Sequence, residues 1–190
     1  MLLKLVADAR DTLLLRFKPA VTYRYSPPAV IGILLLLGLQ NAAAYAPLFG
    51  RSYAAMAFSL VFVIFKWLLL ERVMRMVLHY YGMPKQSLLG FILVSEALLI
   101  PAFIAIYFPK LSELAVFWQI WCFWAQAAGL MHLGRANGLK VLLGYICYSI
   151  ALFLLCLLLL SLFVSAGWLD YAELQARSQQ VFQSLQLMRH

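Results

Sequence analysis

Two charged residues, Lys66 and Glu96, interrupt long apolar stretches of the sequence. A charged side chain at the centre of a bilayer costs about 2.5–3.5 kcal/mol even on the mildest scale, so a charge kept there usually has a partner or a function. If the two stretches form neighbouring antiparallel helices, the ammonium and the carboxylate can meet at similar depth. The sequence therefore predicts an intramembrane polar site, formed by Lys66, Glu96, Ser95 and His132 and extended by Gln119 and Gln126.

Two interpretations of this polar site are open from the sequence. In the first, Lys66 and Glu96 bind a proton, an ion or a lipid headgroup. In the second, they are a structural pair: Lys66 extends to the cytoplasmic face, and Glu96, paired or protonated, joins neighbouring helices. Replacement of Glu96 with glutamine tests the functional interpretation, because unchanged growth, abundance and melting behaviour would remove the reason to expect transport.

The composition indicates that lipid surrounds most of this chain. Of its 190 residues, 65% are hydrophobic and 12% are charged, and the mean hydropathy is +0.90. Soluble domains are roughly half apolar and a quarter charged, and a chain this short leaves about a third of its surface in water. The apolar runs are unbroken and lack the alternation of barrel strands. The predicted fold class is therefore all-α, an integral membrane helical bundle.

Five apolar segments are long enough to cross a hydrocarbon core, which takes about 20 helical residues. They cover residues 29–46, 53–70, 88–108, 114–133 and 139–164. The predicted organisation is an N-terminal segment over residues 1–28, a five-helix transmembrane domain over 29–166 and a C-terminal tail over 167–190. The first apolar segment also has features of a secretory signal peptide, with a cleavage pattern at residues 44–46. The 28 residues that precede it favour an uncleaved helix.

Lysine and arginine residues are distributed unequally among the segments that connect the five predicted helices. Ten lie in the N-terminal segment and in the second and fourth loops, whereas four lie in the other two loops and the tail. The positive-inside rule then predicts a cytoplasmic N-terminus and a C-terminus on the opposite side. The same distribution accounts for the net charge of +8, so no nucleic-acid partner is expected.

The two ends of the chain have amphipathic patterns. Near the N-terminus, one helical face is predicted to be apolar and the opposite face carries Lys4, Asp8, Asp11 and Lys18. The apolar residues are Leu2, Leu5, Val6, Ala9, Leu13 and Phe17. This segment is predicted to lie in the cytoplasmic headgroup layer. The tail has a second stripe, formed by Tyr171, Leu174, Ser178, Val181, Leu185 and Met188, and is predicted either to lie on lipid or to dock on a protein partner.

Motifs of enzymes, metal sites and cofactor sites are absent from the sequence. There is no G-x-S-x-G, no H-E-x-x-H, no phosphate-binding loop and no glycine-rich dinucleotide turn. The cysteines Cys122, Cys147 and Cys156 lie in apolar stretches without the spacing of zinc ligands. We therefore expect no catalytic activity, no cofactor and no metal site.

Residues 80–159 contain an ordered set of motifs. Tyr80-Tyr81-Gly82-Met83-Pro84-Lys85-Gln86-Ser87 precedes the third predicted helix, which contains Ser95-Glu96-Ala97 and Pro101. A tryptophan-rich fourth helix ends in Gly129-Leu130, and Asn137-Gly138-Leu139-Lys140 opens a very apolar fifth helix. This order resembles the Yip family of Rab-interacting membrane proteins, in its short bacterial branch. The motif positions are Tyr81, Gly82, Pro84, Pro101 and Gly129.

The resemblance implies five transmembrane helices with a cytoplasmic N-terminus, in agreement with the charge distribution. Eukaryotic members of the family are described as binding prenylated Rab GTPases, and they have a long cytoplasmic N-terminal region. This sequence has 28 residues before its first predicted helix. The short segment favours the bacterial inner membrane as the location, with an ER or Golgi membrane as the alternative.

The leading functional prediction is a non-enzymatic membrane protein that acts through partners, as a scaffold, an assembly factor or an accessory subunit. The partners are the lipid bilayer and a protein, which is either a different chain or a second copy joined through membrane helices or the tail. The alternative prediction is a small proton- or ion-coupled transporter that uses Lys66 and Glu96.

Overall fold

The computed structural model describes residues 2–104 and 108–187, and most of these residues are helical. Its α-helices are α1 (Leu2–Leu13), α2 (Pro27–Ala44), α3 (Ala46–Phe49), α4 (Tyr53–Tyr80), α5 (Leu89–Ala97), α6 (Ser112–Gly134), α7 (Gly138–Ser165) and α8 (Tyr171–Leu187). The 3₁₀ turns are Ala20–Thr22, Ile100–Phe103 and Pro109–Leu111. No strand occurs in the described ranges, and the predicted all-α fold class is confirmed.

Among residues 2–104 and 108–187, four helices are long and apolar enough to cross a membrane: α2, α4, α6 and α7. Local sequence sets where three of them begin. α2 starts with two prolines, which lose nothing in a first helical turn where N–H groups have no helical partner. At the start of α4, the Ala55 N–H donates to the Ser52 hydroxyl at 3.1 Å. At the start of α7, the Lys140 N–H donates to the Asn137 side chain at 3.2 Å.

The third predicted helix, residues 88–108, is not continuous. α5 has nine residues and ends at Ala97, and a 3₁₀ turn follows over Ile100–Phe103. Pro101 explains this end, because it has no N–H for the Ala97 carbonyl and its ring clashes with that carbonyl. Residues 105–107 lie outside the described part of the chain. Within the third predicted span, α-helical hydrogen bonding thus gives way to 3₁₀ geometry, while Leu98, Leu99 and Ile104 keep right-handed helical backbone angles.

The central long helix of the bundle is α4, which packs against α2 on one side and α7 on another. Met74, near the end of α4, lies against Gly144, near the start of α7. Phe58, near the start of α4, meets Phe163, near the end of α7, with ring centroids 5.3 Å apart. The two helices are therefore antiparallel. Gly38 lets α2 approach α4 closely, as small residues do in membrane bundles.

Protein surrounds α5 on all sides. Phe91, Ile92, Leu93 and Val94 are at most 1% exposed, and α5 contacts α1, α2, α4 and α6. Irregular backbone at membrane depth is tolerated where it is buried in protein or lines a water-filled space. Leu98, just after α5, is 6% exposed and so lies inside the bundle, whereas Pro101 and Ile104 further along are exposed.

The N-terminal helix α1 packs against α5 and α6. Asp8, predicted on the outer polar face, is 1% exposed, whereas Val6, predicted on the apolar face, is 61% exposed. The Asp8 carboxylate accepts hydrogen bonds from the Lys18 ammonium at 2.7 Å and the Tyr25 hydroxyl at 2.8 Å. Lys18 also bonds Asp11 at 2.8 Å and lowers the pKa of that carboxyl below its usual value. The predicted assignment of faces is wrong at Asp8 and Val6, because internal partners compensate the buried carboxylate.

The tail helix α8 begins beside α3 at one end of the bundle. Leu174, Arg177 and Ser178 are half-buried, and the Arg177 guanidinium lies next to Gly50. Tyr171, the first residue of the predicted stripe, is 66% exposed. In the first half of the stripe, Leu174 and Ser178 thus pack partly against the rest of the chain. The side chains of the other stripe residues lie outside the described ones: Val181, Leu185 and Met188.

Candidate functional site

An ion pair joins α4 and α5: the Lys66 ammonium lies 2.7 Å from Glu96 Oε2. Lys66 is about 20 Å along α4 from its start, and Glu96 is the penultimate residue of α5. Glu96 is 8% exposed, and the Lys66 side chain is 23% exposed. Both charges are therefore held inside the bundle, where each compensates the other.

Side chains of α2 and α6 bond to backbone carbonyl groups just after α5, and the Leu99 carbonyl also accepts from the Ala102 N–H at 3.0 Å. The Leu98 carbonyl accepts a hydrogen bond from Trp118 Nε1 at 2.7 Å and a longer one from Cys122 Sγ at 3.6 Å. The Leu99 carbonyl accepts from Gln40 Nε2 at 3.0 Å. The break in α5 is thus a fixed part of the bundle. The partial negative charge of this helix end favours a cation beside it.

A chain of hydrogen bonds connects α5, α6 and α7 next to the ion pair. The Gln126 amide donates to Ser95 Oγ at 2.9 Å and accepts from the Tyr145 hydroxyl at 2.8 Å. The Ser95 hydroxyl in turn donates to the Ile92 carbonyl at 2.9 Å. Buried polar groups that are satisfied in this way make a site rigid.

Beside the ion pair lies a cavity of about 700 Å³, between α2, α4, α5, α6 and α7, which opens to the exterior where Gln119, Phe123 and Ser149 are exposed. This volume is within the roughly 300–1,000 Å³ of small-molecule sites. Asn41 and Tyr45 of the lining belong to the last turn of α2 and the residue after it, so the cavity extends to that end of the bundle. Gln40 Oε1 also faces this region; it is buried and has no hydrogen-bond partner in the described part of the chain. The Gln40 amide thus has a bonded nitrogen and an unsatisfied oxygen.

Three of the four residues predicted for the polar site come together, and one does not. Lys66 and Glu96 form the ion pair, and Ser95 belongs to the adjoining chain of hydrogen bonds. His132 is exposed near the end of α6, with its ring centroid 5.7 Å from that of Phe17. The prediction that His132 joins the site is wrong, because this position is beyond the cavity along α6.

The motif positions of the family resemblance contribute to turns and packing. Tyr81 and Gly82 form the turn after α4, where Gly82 has a φ of 97° that favours glycine. Pro84 follows in the same loop, and Pro101 lies in the 3₁₀ turn after α5. Gly129 faces an aromatic ring of α5 at a distance that leaves no room for a side chain. None of these five residues lines the cavity.

Sequence reasoning missed several residues of the cavity. Gln40 and Asn41 are adjacent polar residues at the end of the first apolar run. Tyr145, Tyr148 and Ser149 lie at three- and four-residue spacing, which places them on one face of α7. A search for polar residues that share a face within each apolar run would have found both groups. A single such residue in a transmembrane helix carries little information.

The groups around the cavity are suited to binding a small polar or charged molecule. The ammonium, carboxylate, amide and hydroxyl groups offer donors and acceptors within a partly aromatic wall. No group of three or more His, Cys, Asp or Glu residues that could hold a metal ion occurs in residues 2–104 and 108–187. The arrangement therefore indicates ligand recognition by hydrogen bonds and charge.

Comparison with family models, curated protein sequences and solved structures finds no match to this chain. The resemblance to the Yip family rests on the sequence motifs alone and stays a prediction. The function of the chain is accordingly inferred from the residues around the cavity.

Proposed function

We propose that this chain is a non-enzymatic membrane protein that binds a small polar solute beside the Lys66–Glu96 pair and moves it across the membrane. The observation that carries the proposal is a buried ion pair in the wall of a cavity of about 700 Å³. A purely structural pair needs no open space beside it. A cavity lined with polar groups is instead what a site for an exchangeable polar ligand requires.

The change from α-helical to 3₁₀ geometry after α5 supports a transport role. In many transporters, substrate and ion sites lie where transmembrane helices are interrupted near the bilayer midplane. α5 ends one residue after Glu96, and α2 and α6 bond to the carbonyl groups that follow. The charged pair and the interrupted backbone thus occur at the same place.

We also propose five membrane crossings, with α5 and the turn after it providing the third. Trp118, near the start of α6, bonds the Leu98 carbonyl after α5, whereas Gln86, just before α5, bonds the Leu133 carbonyl near the end of α6. α5 and α6 are therefore antiparallel, which supports the proposal that α5 and the turn after it cross the membrane beside α6. With five crossings, the charge distribution favours a cytoplasmic N-terminus, and the resemblance to the short bacterial branch of the Yip family favours the bacterial inner membrane.

Reconstituted protein tests the transport proposal. Liposomes are loaded with a defined mixture of amino acids, amines and small organic acids, a pH-sensitive dye reports proton movement, and mass spectrometry quantifies each retained solute. We expect wild-type protein to release at least one solute. Glu96→Gln and Lys66→Gln should each slow that release at least about ten-fold, which corresponds to about 1.4 kcal/mol, because each removes one charge of the pair.

Glu113→Gln and Lys110→Gln are the matched controls, since they make the same changes at exposed positions that do not line the cavity. All five proteins must elute from a sizing column as wild type does. Equal release from the five proteins, or no release above that from protein-free liposomes, would contradict the proposal.

A second candidate function is that of an accessory subunit or Yip-like scaffold, which acts through a protein partner. The observation that favours it is the exposed polar side of α8, formed by Glu173, Gln175, Gln179 and Gln180. We expect a stoichiometric partner to copurify with the full chain from its native membrane in mild detergent, and to be lost from a chain that ends at Trp168. Identical, partnerless oligomers of both proteins would exclude this function for the tail.

A further inference from the structure

A second pocket, of about 400 Å³, lies at the end of α4. Its lining includes Arg72, Arg75, Met76 and His79 of α4 and Lys85 and Ser87 of the following loop. The four α4 residues occupy positions i, i+3, i+4 and i+7, which lie on one face of a helix. None of the six lines the Lys66–Glu96 cavity, so the two sites are distinct.

Positive charge in this pocket is only partly compensated. The Arg75 guanidinium pairs with Glu71, with Nε and Oε1 3.3 Å apart. Arg72 and Lys85 are exposed, and neither side chain forms an ion pair or hydrogen bond with another residue of the described ranges. Two cations that face the same space repel each other, and an anion between them would remove that repulsion.

The walls of the pocket are held in place by hydrogen bonds. The Gln86 amide donates to the Leu133 carbonyl of α6 at 3.0 Å, and His79 Nδ1 bonds the Met83 carbonyl at 2.8 Å. These bonds fix the loop against α4 and α6. Ser87 is two residues before α5, whose positive helix end adds to the attraction for an anion.

The pocket lies at the depth expected for lipid headgroups. α4 has 28 residues, or about 42 Å, whereas the hydrocarbon core is about 30 Å thick. Its apolar run ends at Leu70, two residues before Arg72. Met76 is 61% exposed, so apolar surface adjoins the cations. A phospholipid fits both features, because it joins an anionic phosphate to apolar chains.

We propose that this pocket binds the phosphate group of an anionic phospholipid. The planar guanidinium of Arg72 can donate two parallel hydrogen bonds to phosphate oxygens, and Lys85 supplies a second positive charge. Free inorganic phosphate shares this chemistry but has no acyl chains to cover Met76. The proposal is independent of transport through the Lys66–Glu96 cavity.

Native mass spectrometry of the full chain, freed of lipid in mild detergent and titrated with phosphatidylglycerol, tests the assignment. We expect phosphatidylglycerol to bind at least about ten-fold more tightly than phosphatidylcholine, which carries no net charge. The double variant Arg72→Gln/Lys85→Gln should bind phosphatidylglycerol about thirty-fold more weakly, because two cations near the headgroup are lost.

The control Arg51→Gln/Lys110→Gln removes the same charge at exposed positions outside the pocket and should bind phosphatidylglycerol as wild type does. Arg72→Lys/Lys85→Arg keeps both charges and should retain most of the binding. Equal binding of the two lipids, or an unchanged affinity in Arg72→Gln/Lys85→Gln, would overturn the proposal. Displacement of phosphatidylglycerol by an equal concentration of inorganic phosphate would overturn the lipid as the ligand.

Discussion

Lys66→Met is expected to lower the free energy of unfolding by about 3 kcal/mol, and the addition of Glu96→Gln to restore more than half of that loss. The single variant leaves the Glu96 carboxylate without its partner at a position that is 8% exposed. The carboxylate must then stay charged and unpaired or bind a proton, and both outcomes cost free energy. In the double variant no charge remains to be buried.

The measurement is titration of purified protein with SDS in mild-detergent micelles, with helical circular dichroism as the signal. Lys110→Met, at an exposed position in the turn before α6, is the control and should change the free energy of unfolding by less than about 0.5 kcal/mol. A loss in the double variant equal to the sum of the two single losses would mean that the residues are not coupled. A coupling free energy would show that Lys66 and Glu96 stabilise each other, whereas the liposome experiment tests whether the pair is needed for transport.

The meeting of Lys66 and Glu96 follows from features that a sequence contains. Each residue interrupts an apolar run, the two runs are consecutive, and consecutive membrane helices are antiparallel neighbours. These facts limit where each charge can find a partner. The sequence also predicted the four long helices, because a run of about 20 apolar residues has few alternatives in lipid.

The break in α5 could not be predicted with the same rules. The run over residues 88–108 is apolar apart from Ser95 and Glu96, and proline is tolerated in continuous transmembrane helices when neighbours satisfy the freed carbonyl. Whether Pro101 bends a helix or ends it depends on donors such as Trp118 and Gln40, which are distant in sequence. The cavity escaped prediction for a related reason, because its polar residues come from five separate helices.

The two faces of α1 show why a helical pattern alone can misplace a charged residue. Amphipathic periodicity assigns charged residues to the outer face on the assumption that water is their only partner. Asp8 instead has Lys18 and Tyr25 as partners, and both come from the irregular segment after α1. Periodicity within one helix contains no information about such partners, so it reversed the faces at Asp8 and Val6.

Gly90→Ala is expected to destabilise the protein by about 3 kcal/mol, at the upper end of what overpacking a core costs. A Cβ added at Gly90 would overlap the carbonyl oxygen of Tyr23, in the segment between α1 and α2. This obstacle is backbone, which cannot rotate away as a flexible side chain can. Neither side has room to move, since Tyr23 is 3% exposed and Phe91, next to Gly90, is 1% exposed.

The matched control is Gly32→Ala in α2, where an added Cβ meets no atom within 4 Å. Alanine favours a helix over glycine by up to about 1 kcal/mol, so this variant should be as stable as wild type or slightly more stable in the same SDS titration. Opposite effects of one chemical change at two helical glycines would establish that α5 rests against the N-terminal segment. Equal effects would mean that this contact is absent in solution, and α1 would then be free to lie in the headgroup layer, as its amphipathic pattern predicted.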